Sequence, residues 1–201
     1  MKSLIIIDFQ NDFCLPSGSL YVKGAEKAKK GIIFYMQKNS EKINQIIYTK
    51  DWHTQEDESF KKNGGTWPVH CLQKSEGAEI DKELYDELKK YNIPIQIFNK
   101  GTTYTHEEYG AFENIKKKEE NINDIKNITF CNFGYDSEIH IDNDNIVVCG
   151  IAGDFCVLES IKNLMKHWKF NFEILISGIA SIDGGEKITN FIKEKNLAIA
   201  E

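Results

Sequence analysis

The chain has 201 residues and 23.1 kDa, with 41% hydrophobic and 28% charged residues, ordinary values for a soluble globular protein of one domain. It carries 25 Lys+Arg against 31 Asp+Glu, a net charge of −6, and its densest basic clusters (27–30 and 116–118) are short and flanked by glutamates, which speaks against a nucleic-acid surface. The first apolar run is too short for a signal peptide or a membrane span, and five cysteines without CxxC spacing read as reduced thiols in a cytoplasmic protein.

Residues 4–7 open a series of short, β-branched apolar runs, and Asp8 ends the first. A helix is expected over 24–38, carrying Ile32, Ile33, Tyr35 and Met36. The run 46–48 follows, then a helix over 80–91 with Ile80, Leu84 and Leu88 at i, i+4, i+8. After the run 95–98 comes the stretch 114–145, rich in Lys, Asn, Asp and Glu. It has no clear helix and predicts an irregular excursion or a small hairpin of 128–133 with 138–141. The run 146–149 leads to a helix over 157–168 with Val157, Ile161, Leu164, Met165 and Trp168 on one side, and the runs 172–176 and 197–200 close the chain. Most runs lack polar alternation, as expected for parallel strands buried on both faces. The pattern predicts one α/β domain over 1–201, a three-layer fold with right-handed crossovers around a parallel sheet.

Ligands of such sheets bind beyond the carboxyl ends of the strands. There the chain places Asp8, then Asp51 and His53, then Lys100, and finally Gly150-Ile151-Ala152-Gly153-Asp154-Phe155-Cys156 leading into a helix. At a helix N-terminus a thiol's pKa is lowered and backbone N–H groups can hold an oxyanion. A small buried cysteine is the plainer reading of Cys156. Asp8 fits a base or a loop cap, and Lys100 a charge stabiliser or a snorkelling surface lysine. Together the three supply a nucleophile, its activator and a cation.

Asp51-x-His53 puts two ligating side chains on one face of an extended segment, and His70 could complete a set suited to Zn²⁺, Fe²⁺ or Mn²⁺. Two hydrogen-bonded loop histidines are the alternative. Glu56, Asp57 and Glu58 could add a ligand, or form a solvated acidic loop; His106, His140 and His167 read as structural. Phe13, Trp67 and Tyr109 could wall a flat ring, or pack the core. Asn11 and Asp12 read as loop-fixing residues.

Asp8-Phe9-Gln10-Asn11-Asp12-Phe13-Cys14 followed by Gly18-Ser19-Leu20 resembles the opening of nicotinamidases (the pyrazinamidase/nicotinamidase family), within the isochorismatase-like cysteine hydrolases. Lys50-Asp51-Trp52-His53, Trp67-Pro68-Val69-His70-Cys71, Phe98-Asn99-Lys100-Gly101 and Gly150 to Val157 resemble that family's later motifs in order. The resemblance implies an isochorismatase-like fold, a three-layer α/β/α sandwich around a doubly wound, mostly parallel sheet, and a metal-dependent amidase converting nicotinamide to nicotinic acid and ammonia in NAD salvage. It implies a triad of Asp8, Lys100 and Cys156, and a divalent metal, Zn²⁺ first among candidates, on Asp51, His53 and His70. It further implies an oxyanion hole from the Ala152 and Cys156 N–H groups, with a cis bond before Ala152, and a ring held between Phe13 and Trp67 with its nitrogen on the metal. An amidase for another small amide or carbamoyl compound, and a non-catalytic thiol sensor on the same fold, are the alternatives. A homo-oligomer is left open. The chain departs from the family at Gly153, where Thr is usual; the change removes a hydroxyl and is expected to loosen the turn.

Overall fold

A computed structural model of the chain describes residues 1–102, 108–112, 129–131, 138–167, 169 and 171–201. In chain order its main elements are β1 (Lys2–Ile7), the single-turn α1 (Asn11–Cys14), α2 (Ala25–Asn39), β2 (Ile43–Asp51), α3 (Lys82–Lys89) and β3 (Ile95–Lys100). There follow β4 (Thr129–Cys131), β5 (Glu138–His140), β6 (Asn145–Ile151), α4 (Cys156–His167), β7 (Asn171–Ala180), α5 (Glu186–Lys195) and β8 (Ala198–Ile199). Six strands form one parallel sheet in the order β3-β2-β1-β6-β7-β8. Antiparallel β4 and β5 make a separate two-stranded ladder, the hairpin expected within 114–145. Trp168 and His106 lie outside the described residues, as do the side chains of His140 and His167.

The missing alternation in the central strands has a direct cause. In β1, Leu4 and Ile6 enter a core with Ala28, Ile32 and Met36 of α2 and Leu84 and Leu88 of α3. Ile5 and Ile7 enter the opposite core, with Val157, Ile161 and Leu164 of α4 and Ile188 and Ile192 of α5. Both faces are covered, so positions 4–7 are all apolar. The edge strand β3 is less buried, and its Ile97 is exposed.

The α5 helix was not expected from the sequence. Its signals are short: Gly184-Gly185 at its start, Ile188 and Ile192 one turn apart, and Asn196 in the left-handed conformation at its end. Among the described residues, no helix is long and apolar enough to cross a membrane.

Strand order reverses at β1, whose neighbours β2 and β6 wind outward in opposite directions. The crevice of a doubly wound sheet opens at that point. The carboxyl ends of β3, β2, β1 and β6 stand side by side there and carry the residues described next.

Candidate active site

Lys100 is the centre of the site. The register pairs its Cα with that of Asp51 across β2 and β3, and its side chain is fully buried. Its ammonium lies 2.9 Å from Asp8 Oδ2, donates to Asp51 Oδ1, and sits 3.7 Å from Cys156 Sγ and 3.3 Å from the Glu108 carbonyl. The expected triad is therefore one contiguous cluster, and Lys100 is no surface lysine. Asp8, Asp51 and Cys156 converge closely enough to suggest a cation site of their own; the ammonium is that cation.

Asp8 follows β1 with a positive φ of 47°. Its N–H donates to the Thr49 carbonyl at 3.1 Å, and the Thr49 hydroxyl donates to its Oδ1 at 2.6 Å. Burial raises the Asp8 carboxyl and Lys100 opposes the rise, while Asp51 adds to it; the result is a pKa of about 6. Burial would lower the Lys100 ammonium, but Asp51 and Asp8 hold it well above its ordinary value.

Cys156 is the first residue of α4, as expected, yet its thiol is not acidified. Burial pushes it well above the ordinary cysteine value; Lys100 pulls it down, while Asp8 and Asp51 push it up. This corrects the expectation of a lowered pKa: desolvation in a closed pocket outweighs the helix terminus and one ammonium. The thiol holds its proton, with the Asp8 carboxyl as a hydrogen-bond partner.

The turn before α4 contains a cis Ile151–Ala152 peptide. Gly153 N–H donates to the Ala180 carbonyl at 2.8 Å, and Asp154 accepts from the Ile182 and Asp183 N–H groups at 2.9 and 3.1 Å. A Cβ on Gly153 would stand 2.2 Å from Ser181 Oγ and 2.5 Å from Ile179 Cγ2. The space of a side chain at 153 is filled from β7 and the loop after it, so the glycine does not leave the turn loose as the sequence suggested.

Asp51, His53 and His70 are all buried, and their ligating atoms lie within 4.8 Å of one another. His53 Nδ1 is bonded to Asp57 Oδ2 at 2.7 Å, and its Nε2 lies 3.6 Å from Asp51 Oδ2. His70 Nδ1 bonds the Pro68 carbonyl at 2.8 Å. In a neutral ring, an N–H donated from Nδ1 leaves the Nε2 lone pair for a metal ion, the outer partnering expected of metal-bound histidines. The donor set fits one divalent metal ion. Burial would lower the His53 pKa, but Asp51 and Asp57 raise it to about 9; burial lowers that of His70.

Two supports for this set were missed in the sequence. Gln10 is fully buried; its side chain accepts from Asp51 N–H at 2.7 Å and donates to the Asp51 and Ala78 carbonyls. Gly101, with φ +62°, is compulsory, because a Cβ there would lie 2.8 Å from His53 Cε1. A third residue was misplaced. Asp57 belongs to no solvated loop and is no ligand: it is buried against the far side of His53, while Glu56 and Glu58 are exposed.

Lys100, Cys156 and the Asp51, His53, His70 set line one pocket with Phe13, Trp67, Tyr109 and Phe155. Trp67 Nε1 donates to Tyr109 Oη at 3.0 Å, and Phe155 stands edge-on to Trp67 with ring centroids 5.2 Å apart. Asp12 fixes loops, as expected, accepting from Ser19 and Cys71 N–H. Asn11 does the same through the Glu76 carbonyl. The assembly offers a thiol, a base, a buried cation and a metal-ligand set around a narrow aromatic slot.

No protein-family model matches the chain. The nicotinamidase of Saccharomyces cerevisiae is 26% identical, the match covering 97% of this chain and 95% of that protein. The pyrazinamidase of Pyrococcus horikoshii, solved in complex with zinc, is 25% identical with a TM-score of 0.70 over 100% of this chain and 98% of that one. PnC1 from L. infantum, solved in complex with nicotinate, is 27% identical with a TM-score of 0.72 over 99% and 91%.

Proposed function

We propose that this chain, a homologue of the nicotinamidases with their isochorismatase-like fold, hydrolyses nicotinamide to nicotinic acid and ammonia in pyridine-nucleotide salvage. One observation carries the reading: Asp8, Lys100 and Cys156 meet around a single buried ammonium, and Lys100 and Cys156 line the pocket that also holds Asp51, His53 and His70.

Phe13, Trp67 and Tyr109 hold the pyridine ring. A divalent ion on Asp51, His53 and His70, Zn²⁺ first among candidates, would supply a Lewis acid for the ring nitrogen. The Asp8 carboxylate takes the Cys156 proton as sulfur attacks the carboxamide carbon. Lys100 balances the charge passing between thiolate and carboxylate. The N–H groups of Ala152 and Cys156 receive the oxyanion. Asp8 returns the proton to the departing nitrogen, and ammonia leaves a thioester on Cys156. Asp8 then takes a proton from water as the oxygen attacks the thioester. Collapse frees nicotinic acid, and the proton goes back to sulfur.

The test is ammonia release from nicotinamide by the purified protein with its native metal retained. Steady release is expected from the native chain, and none from Cys156→Ala, which still binds nicotinamide. Turnover by Cys156→Ala would overturn the covalent route. No release from the native chain, with release from another small amide, would move the substrate assignment to a sister amidase.

A further inference from the structure

His53 reaches the metal-ligand set through a loop rather than a strand, so something must fix its ring. The loop 54–63 is built around Asp57. The carboxylate is buried on the far side of the ring, with Oδ2 2.7 Å from Nδ1. Its other oxygen, Oδ1, accepts from Ser59 N–H at 2.9 Å. Its own carbonyl accepts from Asn63 Nδ2 at 2.7 Å. Both carboxylate oxygens and the backbone are thus committed, and the carboxylate can neither rotate away nor reach the opposite, Nε2 side of the ring.

We propose that Asp57 is the positioning residue of the metal site: by accepting the Nδ1 proton of His53 it fixes the ring with Nε2 presented to the ion beside Asp51 and His70. The inference rests on the metal-dependent reading above and deepens it. It makes a specific claim about an isosteric change. In Asp57→Asn, Ser59 N–H keeps the amide oxygen on its own side, because an amide nitrogen there would set donor against donor. The amide nitrogen then faces His53 and donates to Nδ1, which drives the ring proton to Nε2, where the metal should bind. In Asp57→Ala, Nδ1 loses its partner but no group forces the wrong tautomer. The isosteric variant should therefore be the more damaging of the two, the reverse of what a packing role would give.

The experiment titrates metal-free protein with Co²⁺, follows the ligand-field absorbance, and obtains the Zn²⁺ affinity by competition with a chromophoric chelator. Thermal midpoints of the metal-free proteins are measured alongside. Asp57→Asn is expected to weaken the metal by about 10–100-fold, the range found for outer-shell partners of metal ligands, and its metal-free midpoint to fall by no more than that of Asp57→Ala, since both lose the charge facing His53. Asp57→Ala should fall between Asp57→Asn and wild type. Wild-type affinity in Asp57→Asn, or a greater loss in Asp57→Ala than in Asp57→Asn, would overturn the inference alone. A wild-type chain that takes up neither metal would overturn the metal reading and this inference with it.

Discussion

Lys100 and Asp51 form a fully buried ion pair in which one carboxylate oxygen serves the ammonium and the other lies 3.6 Å from His53 Nε2. Asp51 therefore belongs to two sites at once. It neutralises the cation that faces Cys156, and it contributes to the set that fits a metal. Burial alone would raise its carboxyl, but Lys100 and His53 together hold it well below the usual range, so it stays ionised for both tasks.

Lys100→Met follows directly from this arrangement. The substitution keeps the stem but leaves Asp8 and Asp51 buried without their cation. Breaking a buried pair from one side costs about 3–5 kcal/mol, and that loss is expected in urea unfolding of the metal-free protein, with turnover abolished. Adding Asp8→Asn should recover part of the stability, because it removes one of the stranded charges. Lys100→Met unfolding at the wild-type midpoint would mean that the ammonium does not hold the site together.

Thr49→Val isolates the base. The Thr49 hydroxyl donates to Asp8 Oδ1 at 2.6 Å and, with Lys100, opposes the rise that burial causes, leaving the carboxyl at about 6. Removing that donor stabilises the protonated form relative to the carboxylate, so the pKa moves up. In the proposed mechanism Asp8 acts as a base only when ionised, so activity is expected to fall as pH drops through its pKa. The acid limb of the kcat/KM profile should therefore lie near pH 6 in the native chain and shift to higher pH in Thr49→Val. A shift to lower pH, or none, would assign the limb to another group.

Strands and their chemistry were legible for one reason: a parallel sheet buried on both faces writes continuous apolar runs, and the first polar residue after each run lies at the crevice. Asp8, Asp51 and Lys100 were found in this way. Gln10, Thr49 and Asp57 were not recognised for what they do. Each is an ordinary polar residue whose role is set by a partner outside its own run, such as Thr49 on β2 for Asp8 on β1. Periodicity carries no information about such pairs. Cys156 was placed correctly and its acidity misjudged, because the helix start is visible in the sequence and the depth of burial is not. The resemblance to a family supplied what residue patterns left open, namely that His70 completes the set with Asp51 and His53.

Gly153 shows the same limit and allows a sharp test. Its conformation is open to any residue, since its φ is not among the positive values; the glycine is required by space alone. Ser181 Oγ fills that space, and it is itself buried without a hydrogen-bond partner among the described residues. Gly153→Ala should therefore destabilise the protein by about 1–3 kcal/mol, the usual cost of overpacking. Ser181→Gly alone should cost little for the lost hydroxyl, because no bond is given up. Combined with Gly153→Ala it should restore part of the loss but not all, since Ile179 Cγ2 still crowds the new methyl group. The turn also carries Ala152 and Cys156, so Gly153→Ala should lower kcat more than it raises KM, and the double variant should recover both stability and kcat together. Thermal midpoints and steady-state kinetics on the three variants decide the matter. If Gly153→Ala matches the native chain, or if Ser181→Gly deepens its defect, Ser181 is not what holds the turn.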